Sequence, residues 1–141
     1  TGGVMCHVAE CLYDGPTVCI GRKGTIDAPF YHEGKIWTVD TLFYSHSFNE
    51  CYPKFIYYKF LTIDWQSYNE ASGVPSLTAD IIGRISLKVP MNTAEQQAIA
   101  DTLSEQDAAI AAIEAKRKKY MRIKEGMMRD LLTGKVRMKG E

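Results

Sequence analysis

Four sets of residues in this chain have types and spacing that bear on chemistry. Cys6, His7, Cys11 and Cys19 are zinc-ligand types, but none forms the tight C-x-x-C knuckle of a structural zinc site. They read, with Cys51, as reduced thiols of a cytoplasmic protein, buried as small hydrophobes. Ser45, His46 and Ser47 lie near Asp40, so a hydrolytic triad can be drawn. Those residue types are common enough for chance to supply that set, and surface or hydrogen-bonding roles account for it. Arg22-Lys23-Gly24-Thr25 forms a basic turn directly after a run of strand formers. Arginine can reach guanine O6 and N7 with two donors, and lysine is a plain counter-charge for phosphate. Gly21 and Gly24 allow close backbone approach, and Thr25 adds a hydroxyl and an amide. Ser72-Gly73-Val74-Pro75-Ser76 is a loop of small hydroxyls that can present backbone amides, or simply a connection.

Self-contained catalysis finds no support in motifs. The chain has no G-x-x-x-x-G-K-[ST] phosphate loop, no G-x-S-x-G elbow and no H-E-x-x-H pair. No cofactor and no metal is expected in it.

These residues must be positioned by local elements. Thr17-Val18-Cys19-Ile20 predicts a buried strand ending at Gly21, followed by a tight turn over Gly21–Gly24. Thr25-Ile26 begins a second extended piece. Lys35–Val39 and Thr41–Tyr44 are rich in strand formers. Pro53 suits a first helical turn, and Phe55, Ile56, Phe60 and Ile63 predict a short amphipathic helix over 53–64. Ile85, Leu87 and Val89 alternate as a last strand, ended by Pro90.

From residue 93 the pattern becomes a single long helix. Thr93 with Gln96 fits a capping box, and Gly134 is the expected terminator. A helix over 93–133 would be about 60 Å long. A small domain cannot cover that length, so much of it must project or pair. Ile99, Leu103, Gln106, Ile110, Ile113, Arg117, Tyr120, Lys124, Met127 and Leu131 alternate spacings of four and three, a heptad seam.

The 141 residues carry no net charge, yet the charge is unevenly placed. Residues 1–115 hold 7 Lys/Arg against 14 Asp/Glu, and residues 116–141 hold 10 against 3. A neutral total therefore leaves a polyanion partner open. The composition predicts a folded soluble protein, no run is long enough for a membrane span, and no leader is expected.

Taken in order, these pieces resemble the specificity subunit of type I restriction–modification enzymes. Val18-Cys19-Ile20-Gly21-Arg22-Lys23-Gly24-Thr25-Ile26 is similar to the family's strand with its R-K-G turn. Trp37-Thr38-Val39-Asp40-Thr41-Leu42 resembles the next strand, and Phe55-Ile56-Tyr57-Tyr58 the short aromatic helix. Gly73-Val74-Pro75-Ser76-Leu77, then Ile81 and Ile85, resembles its loop and final strand. Val89-Pro90, then Glu95-Gln96-Gln97-Ala98-Ile99-Ala100 and Leu103, is similar to the junction into its spacer helix, and Leu131–Arg137 to its ending.

The resemblance implies an α+β fold in three parts. They are a mixed target recognition domain over 1–90, a coiled-coil-forming spacer helix over 91–134 and a tail over 135–141. It implies a truncated second half, since the family carries two such domains and two helices that pair antiparallel. The implied partners are double-stranded DNA, methyltransferase subunits and a restriction subunit. S-adenosylmethionine, ATP and magnesium would belong to those subunits. DNA contacts are expected at Arg22, Lys23, Gly24, Thr25, Ser72, Gly73 and Ser76. Ile99, Leu103, Ile110, Ile113, Tyr120, Met127 and Leu131 are expected to pair two copies as an antiparallel homodimer, because the helix starts acidic and ends basic. The alternative function is an interaction protein that pairs with another specificity subunit and has no useful DNA binding.

Overall fold

The computed structural model describes residues 6–138. The chain divides into two compact units, Thr1–Ala100 and Asp101–Glu141. The architecture is the expected α+β: short strands first, then a long C-terminal helix.

The first unit is organised by β2 (Thr17–Gly21), buried along its whole length. It is the central strand of an antiparallel sheet, between β3 (Phe30–His32) and β5 (Leu42–Ser45). Val18 pairs with Tyr31 on one side and Ser45 on the other. A second, two-stranded ribbon joins β1 (Tyr13–Asp14) to β4 (Lys35–Ile36). Strand formation over 35–39 is thus confined to two residues. β1 offers only two partners, and Trp37 and Val39 remain exposed.

Helix α1 (Pro53–Leu61) begins with Pro53 in its first turn, as expected, and buries Phe55 and Ile56. A 3-10 turn (Trp65–Tyr68) follows. The expected strand at Ile85–Val89 is absent. Instead Thr78 caps a five-residue helix, α2 (Ala79–Gly83), by accepting from the Ile81 N–H. Ile81, Ile82 and Ile85 then reach the core at helical spacing, which overrides the alternation of 85, 87 and 89.

Two apolar clusters lie under the sheet. Val18, Phe55, Ile56 and Ala100 form one; Ile20, Ile26, Trp65 and Leu77 form the other. Phe60 packs against both.

Helix α3 (Thr93–Leu132) runs through Gly126 without a break. Its cap differs from the expected box. The Asn92 side chain accepts from the Ala94 N–H at 2.9 Å, which frees Gln96 for another task. Gln96 is fully buried. Its Oε1 accepts from the Tyr52 N–H at 2.7 Å, and its Nε2 donates to the carbonyls of Glu50 and Pro90. Gly134 closes the helix at φ +73°, its N–H donating to the Leu131 carbonyl. No helix among the described residues is long and apolar enough to cross a membrane.

The thiols divide. Cys19 is buried and Cys51 half-buried, but Cys6 and Cys11 are exposed, contrary to expectation. They belong to the irregular segment before β1, where no apolar element covers them.

Candidate nucleic-acid interface

The basic turn and the small-hydroxyl loop, separated by about fifty residues, are bonded together. The Gly24 N–H donates to the Pro75 carbonyl at 2.8 Å, and the Leu77 N–H donates to the Arg22 carbonyl at 2.9 Å. Between them, Lys23 and Ser76 form an antiparallel bridge. The second core cluster explains this placement. Ile20 and Ile26 bury the two ends of the turn and Leu77 buries the end of the loop, all around Trp65.

The two glycines of the turn do different work. A Cβ on Gly21 would sit 2.0 Å from the Thr25 carbonyl oxygen. The missing side chain is therefore filled by the turn itself, and Gly21 gives no access to a phosphate as the sequence had suggested. Gly24 has φ +88° and open space at its Cα, so it needs glycine for conformation. Its amide is spent on Pro75. Gly73 also has open space, so backbone approach is open there.

Arg22 and Lys23 are exposed. The Arg22 guanidinium donates to the Asp40 carbonyl at 3.1 Å and lies 5.8 Å from the Phe43 ring centroid. It is thereby held in place with further donors to offer. Thr25 and Ser72 are exposed and Ser76 is half-buried.

The other sequence candidates do not assemble into a site. Ser45 Oγ donates to the Val18 carbonyl, which commits it to the sheet. His46 Nδ1 contacts Ser47 Oγ at 2.8 Å, while Asp40 meets Arg22 through its main chain. Among the described residues, no three His, Cys, Asp or Glu side chains come together as a metal group. Burial of Cys19 pushes its thiol up to about 11, partly offset by a hydrogen bond with Thr17, so it is a poor nucleophile.

The model of the type I restriction modification DNA specificity domain matches residues 2–121. The chain belongs to that family. No curated protein and no solved structure gives a significant match. Membership gives the chain a DNA-specificity role in type I restriction–modification, and the specificity domain is the non-catalytic part of such systems.

Sequence reasoning missed Asn69, which organises the specificity domain's loop. Its Oδ1 accepts from the N–H groups of Ala71 and Ser76, both at 3.0 Å, and its Nδ2 donates to the Ala71 carbonyl. Gln66, in the preceding 3-10 turn, donates to the Asp27 carboxylate just beyond the basic turn. An Asn preceding a small-residue loop is a usable signal for such closure. The bond to Ser76, seven residues on, has no signature in local sequence.

All seven apolar seam residues lie on α3, between 36% and 68% exposed. Met121, Ile123, Met128 and Leu132 are exposed beside them. Tyr120, Ile123, Met127, Met128 and Leu131 line a shallow apolar groove near the helix end.

Proposed function

We propose that this specificity domain is the non-catalytic recognition module of a type I restriction–modification complex. It reads half of a split DNA site and directs methyltransferase and restriction subunits to it. S-adenosylmethionine, ATP and magnesium act on those subunits. The recognition domain is 1–90, the spacer helix 91–134 and the tail 135–141.

One observation carries the reading: the turn at 22–25 and the loop at 72–76 form one bonded surface with Arg22 and Lys23 exposed on it. Arg22 contributes directed donors, Lys23 a phosphate counter-charge, and Thr25, Ser72 and Ser76 hydroxyls. Gly73 supplies the point of close backbone approach, and Gly24 holds the turn. The wide exposure of the α3 seam supports pairing of two copies, antiparallel, acid end against basic end.

The test is duplex binding across a KCl series, with wild type compared to Arg22→Ala/Lys23→Ala. The double variant is expected to lose about 0.9 of salt slope per phosphate contact removed. Loss of a guanine-reading arginine costs about 1–3 kcal/mol and relaxes preference at one position of a selected duplex pool. Unchanged affinity and slope in a folded variant would assign the turn a purely structural role. A dimer that binds no duplex at any salt would favour the interaction-protein alternative.

A further inference from the structure

Lys116, Arg117, Lys118 and Lys119 are consecutive and exposed on α3. Between residues 108 and 129 the only carboxylates are Glu114 and Glu125. Four consecutive helical positions, at about 100° per residue, distribute charge around most of the circumference. Pairing through one stripe therefore leaves cations outside it. The recognition surface does not use this run.

The seam fixes where the run sits in an antiparallel pair. Its ten positions are symmetric about Ala115: Ile99 faces Leu131, Leu103 faces Met127, Gln106 faces Lys124, Ile110 faces Tyr120 and Ile113 faces Arg117. The two-fold axis then passes beside Ala115. Each copy of the run lies one to four residues from the axis, within about 6 Å along the helix. The two copies are thus offset by about 3–12 Å along the pair, comparable to the Debye length of about 8 Å at physiological salt, so the two runs form one continuous basic patch of doubled charge. Such a patch opposes pairing by self-repulsion, and a polyanion laid across it reverses the sign of that effect.

We infer that Lys116–Lys119, doubled at the axis of the paired helices, binds the phosphate backbone of duplex DNA without reading its sequence. Duplex DNA fits because it is the polyanion this family engages, and because Lys116, Lys118 and Lys119, the cations outside the seam, offer point charges and no base-reading geometry. This inference rests on the pairing proposed above.

The full chain and the variant K116Q/K118Q/K119Q, which leaves the seam residue Arg117 in place, are compared, glutamine being a good helix former. Binding to a 40-base-pair mixed-sequence duplex is followed by anisotropy over a KCl series, and association by sedimentation without DNA. The variant is expected to remain a dimer, at least as tight as wild type at low salt. Its salt slope should fall by about 3, as for three lost phosphate contacts, with affinity reduced tenfold or more. The loss should add to that of Arg22→Ala/Lys23→Ala. A dimeric variant with unchanged slope overturns this inference alone and leaves the run to solvent or to an acidic protein surface. A wild type that sediments as a monomer at high concentration removes the pairing and, with it, the doubled patch.

Discussion

Trp65 and Ile113 are both large apolar side chains in opposite surroundings. Trp65 is 2% exposed, its Nε1 donates to the Phe60 carbonyl, and its ring meets Phe60 edge-on. Ile113 is 68% exposed on α3. The same contrast separates the two units. In the first, Val18, Ile20, Ile26, Phe55 and Leu77 are buried by the unit's own contacts. In the second, the apolar stripe from Leu103 to Leu131 is uncovered. Each such side chain left in water forgoes about 1.5–3 kcal/mol of burial. A unit that buries its own apolar core is thus joined to a helix whose apolar face is exposed.

The largest expected effect breaks the second half of that contrast. Ile110→Glu with Ile113→Glu puts charges into the centre of the proposed seam on both copies. Sedimentation should shift from dimer to monomer at micromolar protein. Urea unfolding of the first unit should be unchanged, since neither residue belongs to its core. A wild type that is monomeric from the start would refute the pairing.

A smaller effect tests the first half. Trp65→Ala removes the centre of the second cluster and should cost about 3–5 kcal/mol in urea unfolding. DNA binding should fall with it, because Ile26 and Leu77 anchor the basic turn and the loop around that ring. A loss below about 1 kcal/mol would mean the cluster is not the support of the interface.

The smallest effect sharpens the contrast inside the first unit. Cys6 and Cys11 should be alkylated within minutes in the native protein, Cys51 more slowly, and Cys19 only on unfolding. The folded Cys19 thiol is raised from an ordinary 9.0 to about 11. Its stabilising contribution is therefore full below pH 9 and is lost as pH rises from about 9 to 11. Tyr31, raised by burial, by Glu33 and by Tyr52, acts in the same direction. Cys19→Ala should reduce the alkaline slope of stability, leaving the tyrosine part. Equal reactivity of all four thiols would contradict the burial of β2.

What was legible in the sequence follows from element length and from period. β2, β5, α1 and α3 carry enough residues for alternation or helical spacing to register. β1 and β3 have two and three residues, too few for any period, and exist because β2 and β4 offer partners. Ile81, Ile82, Ile85, Leu87 and Val89 admit both periods, and a Thr78 cap with a core below decided for the helix. The candidate contacts were readable as residue types on a turn and a loop. Their adjacency was not, because main-chain bonds from Gly24 to Pro75 and from Leu77 to Arg22 leave no mark on side-chain identity.

Gln96 has a consequence for exchanging recognition units between specificity subunits. Its amide ties the first turn of α3 to the main chain of Tyr52, Glu50 and Pro90, and Ala100 belongs to the core with Phe55. A crossover placed at Pro90, the domain boundary expected from sequence, would separate the glutamine from its three partners and leave them unsatisfied in the interior. A crossover just beyond Ala100 would transfer the unit with its own fastening. The natural cut point for building chimeras with new site preferences is therefore inside the helix, about two turns past its start.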